Sequence, residues 1–346
     1  MIRRALFEPP RHVLLALMLL GGLAGITMGI VFAQATRLPY DRTHPVVYDN
    51  DEAIDVYTDD YLMALASARA IRLRGMITSS TTVPFNQHVA LEDYERMVRD
   101  RVEGVLHARQ SGFRSIPDPV RGPSRHLERP VSGRIEDTRP IDTPGSRLIV
   151  AEAHRATPEV PLVLVMGGPL TAAADGFLLS PSIADRVVVA WLGSDRPDDM
   201  GNYNGWADPW AAYIVLQKLR LVMFHVWKGD PIVPKARLPE LRDTPLRTWM
   251  IAKELPAANL PGERDGDGPP AISLTTPGYV TALTRVSFDT WVSLARDEYR
   301  PIPGLRPDPN GRALVATVQR RDVATAEWWR AMKNPAAYGG NAPVPG

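Results

Sequence analysis

Cysteine is absent from all 346 residues. That excludes disulfides, thiolate catalysis and cysteine-ligated zinc, and it removes the residue on which an exported protein carries a lipid. A surplus of one charge is missing as well, since 40 basic residues stand against 39 acidic ones for a net charge of +1. No basic stripe with interleaved aromatics accompanies that balance, so nothing points to nucleic acid. Internal repeats are lacking too. Proline, by contrast, is plentiful at 33 residues, which predicts long, loop-rich connections. With 45% hydrophobic residues, the chain is long enough for one large α/β domain or two ordinary ones.

One long apolar run is present. Arg3, Arg4 and Arg11 precede an uninterrupted stretch at 13–33 whose only polar side chain is Thr27, and Ala33-Gln34-Ala35 then supplies a small-x-small cleavage pattern. The run exceeds the roughly 7–15 residues of a signal-peptide core and nears the ~20 that span a bilayer. Two readings stay open: a cleaved signal peptide over 1–35, or a signal-anchor held in the membrane by 13–33. Either one keeps the arginines cytoplasmic and exports the rest, to the periplasm or beyond the cell. Membrane contact is then confined to this segment.

Beyond it, strand and helix patterns alternate. Strands are expected at 46–48, 71–77, 162–166, 187–192 and 221–226, and helices at 60–69, 147–155 and 209–219, with one more helix between the strands at 162–166 and 187–192. In 91–106 the apolar residues Leu91, Tyr94, Met97, Val98, Val102, Val105 and Leu106 form a helical stripe. The segment 112–146 is rich in proline and arginine and reads as a long surface excursion. Trp328 and Trp329 dock a last helix onto the core, and 334–346 reads as a flexible tail. The expected fold class is therefore α/β, a mainly parallel sheet with helices on both faces over 36–333, Rossmann-like in its logic. Ligands in such sheets bind at the C-terminal strand edges.

Chemistry gathers behind the first strand. Asp49, Asp51, Asp59 and Asp60 follow a short apolar run and precede a helical pattern. Carboxylates so close repel one another, and desolvating them is costly unless a cation or strong donors neutralise them. Oxygen-only donors suit calcium or magnesium rather than zinc. A solvated acidic loop is the competing reading of this segment alone. Three later segments fall where a parallel sheet would place the same edge: Gly167-Gly168-Pro169-Leu170-Thr171, the run from Asn202 to Ala212, and Asp265-Gly266-Asp267-Gly268.

Together these resemble the inosine/uridine-preferring nucleoside hydrolase family. Its acidic DxDxGxDD motif is matched by Asp49, Asp51, Asp59 and Asp60. Its glycine-proline-leucine-threonine motif is matched by Gly168-Pro169-Leu170-Thr171. A glutamate-phenylalanine-asparagine run ending in aspartate-proline is matched by Asn202-Tyr203-Asn204 with Asp208-Pro209, and the late histidine-aspartate pair by Gly266-Asp267. The resemblance spans roughly 45–289. It implies a calcium ion held by Asp51, Asp60, the Thr171 carbonyl and Asp267. It also implies a water, polarised by that ion and deprotonated by Asp51, that attacks the anomeric carbon of a riboside. Asp59 and Asn204 match positions that grip ribose, Asn202 stands where the family has glutamate, and Trp206 is the leading residue against the base. The implied ligand is a small nucleoside or riboside, and homo-oligomerisation stays open.

The match is incomplete. Ala53 replaces the motif glycine, and about four extra residues separate Asp51 from Asp59; a register using Asp55 is the alternative. Gly266 stands where the family's base-protonating histidine would be, no asparagine follows Thr171, and 194–201 is shortened. The metal half is thus better kept than the base half. The competing reading is a catalytically inactive protein of this fold that binds a sugar or nucleoside. Other histidines, His44, His88 and His225, are candidate acids by sequence proximity, each with packing as the simpler role.

Overall fold

The computed structural model describes residues 37–51, 57–80, 91–193, 203–225, 228–253, 264–266, 268–288 and 305–339, with backbone alone at 91–93, 203, 206, 288 and 305. The apolar run at 13–33, His88, Asn202 and Asp267 lie outside the described residues. Among the described residues no helix is long and apolar enough to cross a membrane.

Strands β1 (Pro45–Asn50), β2 (Arg72–Thr78), β3 (Pro119–Arg121), β4 (Leu162–Met166), β5 (Val187–Leu192), β6 (Arg220–Phe224), β7 (Val280–Phe288), β8 (Leu305–Pro307) and β9 (Ala313–Gln319) form one nine-stranded sheet. Its order is β3-β2-β1-β4-β5-β6-β9-β7-β8. Pairing is parallel from β3 through to β9. It turns antiparallel only at β7 and β8. The runs Leu-Val-Leu-Val-Met of β4 and Val-Val-Val-Ala-Trp-Leu of β5 are buried throughout, as central parallel strands covered on both faces must be.

Side-chain alternation divides the core in two. Val46, Tyr48, Val163, Val165, Val188 and Ala190 face one cluster, and Val47, Leu164, Met166, Val189 and Trp191 face the other. The first face is covered by α1 (Thr58–Ser67), α2 (Leu91–Gln110), and α9 (Arg321–Met332), and by α7 (Pro245–Ala252) and α8 (Gly268–Ile272). The second is covered by α3 (Pro144–Arg155), α4 (Thr171–Leu179) and α6 (Pro209–Lys218), with the short α5 (Tyr203–Ala207) before α6. Strand order reverses between β1 and β4, which opens a crevice at their C-terminal ends.

Three expectations need correction. In α2 the inward residues are Tyr94, Met97, Arg101, Val105 and Ala108, whereas Val102 and Leu106 are 50% and 51% exposed. The buried stripe turns on an arginine that a count of apolar types passes over. The excursion at 112–146 is not all loop, because 119–121 adds the edge strand β3 and Pro144 starts α3 beneath the cap of Thr143. Nor is the tail flexible from 334: Pro335–Tyr338 forms a 3-10 turn, Ala337 and Tyr338 are buried, and the Tyr338 hydroxyl donates to the Met332 carbonyl at 3.0 Å. Its ring meets Phe113 edge-on at 5.0 Å. Trp328 and Trp329 do dock α9, both buried and packed edge to face.

Candidate functional site

The crevice at the switch point collects the acidic residues. Asp49 ends β1 with Asn50, and Asp51 follows. Asp59 and Asp60 open α1, where the positive end of the helix dipole favours carboxylates. All are buried, which excludes the solvated-loop reading. Asp51 lies against the loop after β4: a Cβ on Gly168 would sit 2.8 Å from the Asp51 carboxyl carbon. Only glycine permits that approach. The Gly168 carbonyl accepts from Trp191 Nε1 at 3.0 Å, and the Gly167 amide donates to the Asp49 carbonyl at 2.9 Å. The loop after β4 is thus stitched to the C-terminal ends of β1 and β5 beside Asp51.

A buried cation is already built in. Arg101 of α2, 1% exposed, places Nε 3.0 Å from Asp59 Oδ2, and its guanidinium lies 5.0 Å from the centre of the Tyr48 ring. This arginine was missed in the sequence; its signal is its place in register with Met97 and Val105. Asp59, expected to grip ribose, therefore has one oxygen committed to an ion pair. Asp49 accepts from Ser79 Oγ at 2.7 Å. Burial nevertheless pushes its carboxyl up to about 7, against the opposing pull of the Ser79 bond, the Arg101 charge and the Asn50 amide.

That shift has a sign in stability. Between about pH 4 and 7 the folded state holds a proton on Asp49 that the unfolded chain has released, so stability from this group is full below pH 4 and is lost as pH rises through 7. In EDTA, Asp49→Asn is expected to flatten the fall in unfolding free energy across that window by up to about 1.4 kcal/mol per pH unit, read from urea titrations at several pH values. Identical slopes in both proteins would contradict the assignment.

Thr171 opens α4, and its hydroxyl donates to Asp208 Oδ2 at 2.8 Å. Asp208 caps α6, accepting from the Ala211 amide at 2.9 Å, with Pro209 at the first helical position. Asn204, half-buried in α5, donates through Nδ2 to the carbonyls of Gly167 at 2.5 Å and Leu192 at 3.0 Å. Both amide protons are spent on main-chain carbonyls of the β4 loop and the last residue of β5. Trp206 is described by its backbone alone, in the same helix. Asp265, fully buried, accepts from Thr58 Oγ1 at 2.6 Å, so the residues flanking Asp267 are held beside the start of α1. This aspartate too was passed over in the sequence.

Of the histidines weighed as acids, His44 pairs with Asp41 at 3.2 Å just before β1, at the opposite edge of the sheet. His225 follows β6 and is buried, its amide held by Gln319 Oε1 at 2.8 Å.

The donor chemistry suits a hard cation. Asp49 Oδ2 and Asp59 Oδ1 are buried carboxylate oxygens with no hydrogen-bond partner, a costly arrangement for an ionised group. Among the described residues no three acidic or histidine side chains close around a metal position. Asp51, Asp60 and the Thr171 carbonyl would therefore need a further carboxylate, the place expected for Asp267.

The fold has solved counterparts. A purine-preferring ribonucleoside hydrolase from Gardnerella vaginalis superposes with a TM-score of 0.56 at 16% identity, over 85% of this chain and 99% of that one. A plant nucleoside hydrolase gives 0.57 at 15% identity, over 84% and 99%. The type III effector protein XopQ, solved with adenosine diphosphate ribose, gives 0.53 at 13% identity, over 87% and 96%. No family model matches the chain, and no curated protein does. The α/β architecture is nucleoside-hydrolase-like.

Proposed function

We propose that this chain hydrolyses the N-glycosidic bond of a ribonucleoside or a related N-riboside, with calcium bound by Asp51, Asp60, the Thr171 carbonyl and Asp267. The observation that carries this reading is the gathering of buried carboxylates at the switch point, with Asp51 packed on Gly168. In support, two of the structures with this fold are nucleoside hydrolases, and the third was solved with adenosine diphosphate ribose.

Asp51 takes a proton from the attacking water as general base. The surrounding carboxylates stabilise the positive charge that develops on an oxocarbenium-like ribose. The Asn204 carbonyl oxygen, the free side of Asp59 and Asn202 receive sugar hydroxyls, and Trp206 meets the base. Calcium, when bound, would acidify a coordinated water and anchor sugar hydroxyls. The apolar run at 13–33 would deliver this activity outside the cytoplasm.

The test is incubation of the protein, from residue 36 onward and in parallel at full length in detergent, with a nucleoside panel and calcium. Release of free ribose is expected. A second reading, a binding protein without turnover, draws on the commitment of Asn204 Nδ2 to main-chain carbonyls and on Gly266. Saturable riboside binding with no ribose released by either form would establish it instead.

A further inference from the structure

We infer that His126 is the proton donor to the departing base, an inference that rests on the hydrolytic reading above. Breaking a C–N glycosidic bond leaves a poor leaving group unless its nitrogen is protonated. Of the histidines singled out in the sequence, His44 stands before β1 at the opposite edge of the sheet, His88 lies outside the described residues, and His225 follows β6, two strands beyond β4. His126 comes from a different part of the chain, the excursion between β3 and α3.

The path of that excursion places it. The Ser80 amide, just past β2, donates to the Pro123 carbonyl at 2.8 Å. Four residues later the Leu127 amide donates to Asp208 Oδ2, also at 2.8 Å. Asp208 lies beyond β5 in sequence and is bonded to Thr171, which lies just past β4. The segment 123–127 therefore crosses from the β2 end of the crevice to the β4 end, along the C-terminal edge of the sheet. Leu127 N and Thr171 Oγ1 donate to the same oxygen, so the main chain beside His126 lies within two hydrogen-bond lengths of Thr171. Asp208 directly follows α5, the helix of Asn204 and Trp206.

The side chain carries the second observation. Its Nδ1 is buried and has no hydrogen-bond partner. A buried, unsatisfied ring nitrogen is costly to leave unpaired, and a ligand nitrogen would satisfy it. Asp208 is itself fixed, accepting from the Ala211 and Leu127 amides and the Thr171 hydroxyl, so the main chain beside His126 is held in place.

The step balances. The C1′–N bond breaks with its electron pair passing to the base nitrogen, which takes the proton from His126 Nδ1. The water oxygen bonds to C1′ and its proton passes to Asp51. Solvent then returns one proton from Asp51 to His126, leaving free base and ribose.

The test compares the unmodified protein with His126→Gln and His126→Ala on a natural nucleoside and on p-nitrophenyl riboside, whose phenolate departs without protonation. Melting temperatures certify that each variant is folded. A loss of about 100-fold or more in kcat on the nucleoside, against a change within about threefold on the aryl riboside, is expected. Equal losses on both substrates, or no loss on either, would overturn the assignment to His126 while leaving hydrolysis standing. If the unmodified protein cleaves neither, the hydrolytic reading falls, and the role of His126 with it.

Discussion

Asp51→Ala is expected, on the proposed reading, to lower kcat/KM for ribose release by ~10³-fold or more, and at the same time to remove the calcium-dependent rise in melting temperature expected of the unmodified protein. Two roles meet in one carboxylate. As the proposed general base it would contribute about 10²–10⁴-fold, and as the proposed cation ligand it would help to bind an ion that stabilises only the folded state. Its carboxyl lies at the switch point, close against Gly168. The fold should survive the change, because the neighbouring main-chain bonds from Gly167 to Asp49 and from Trp191 to Gly168 do not involve the Asp51 side chain. Circular dichroism checks that directly. Retained activity with an unchanged calcium response would remove Asp51 from the site.

Arg101→Met costs about 3–5 kcal/mol of stability, because it strands buried carboxylates that the arginine neutralises. For a domain of this size that is a fall in Tm on the order of 10 °C. Asp59 loses its 3.0 Å partner and Asp49 the positive charge that favours its ionised form. Asp59→Leu on the same background should recover most of the loss, since an apolar pair of similar volume avoids desolvating either charge. A cation faces one less positive neighbour in Arg101→Met, so calcium should raise its Tm by more than it raises that of the unmodified protein. A single variant with unchanged melting would show that the pair carries no energetic weight.

The parallel strands were legible because burial on both faces writes itself as unbroken β-branched and apolar runs: 162–166 and 187–192 match β4 and β5 end to end. The helix after the acidic run was legible from its apolar start, and Asp208-Pro209 from its match to a family motif. Arg101 was not. A buried charge is chosen by its partner across the fold, and Asp59 stands 42 positions away with a helix and a strand between. Asp265 and His126 were hidden for a related reason. Asp265 meets Thr58 across 207 positions, and His126 is set by the Leu127–Asp208 bond across 81. Local pattern carries no record of such pairings. Asp49 could be read as part of an acidic group, but its raised pKa follows from complete burial, which only the packed structure reveals.

The most direct measurement is the anomalous difference map of crystals grown with saturating calcium. The account predicts one strong peak at the C-terminal ends of β1 and β4, bounded by Asp51, Asp60 and the Thr171 carbonyl, with Asp267 completing the oxygen shell. A well-ordered crevice with no peak there, at a calcium concentration that raises the melting temperature, would contradict it.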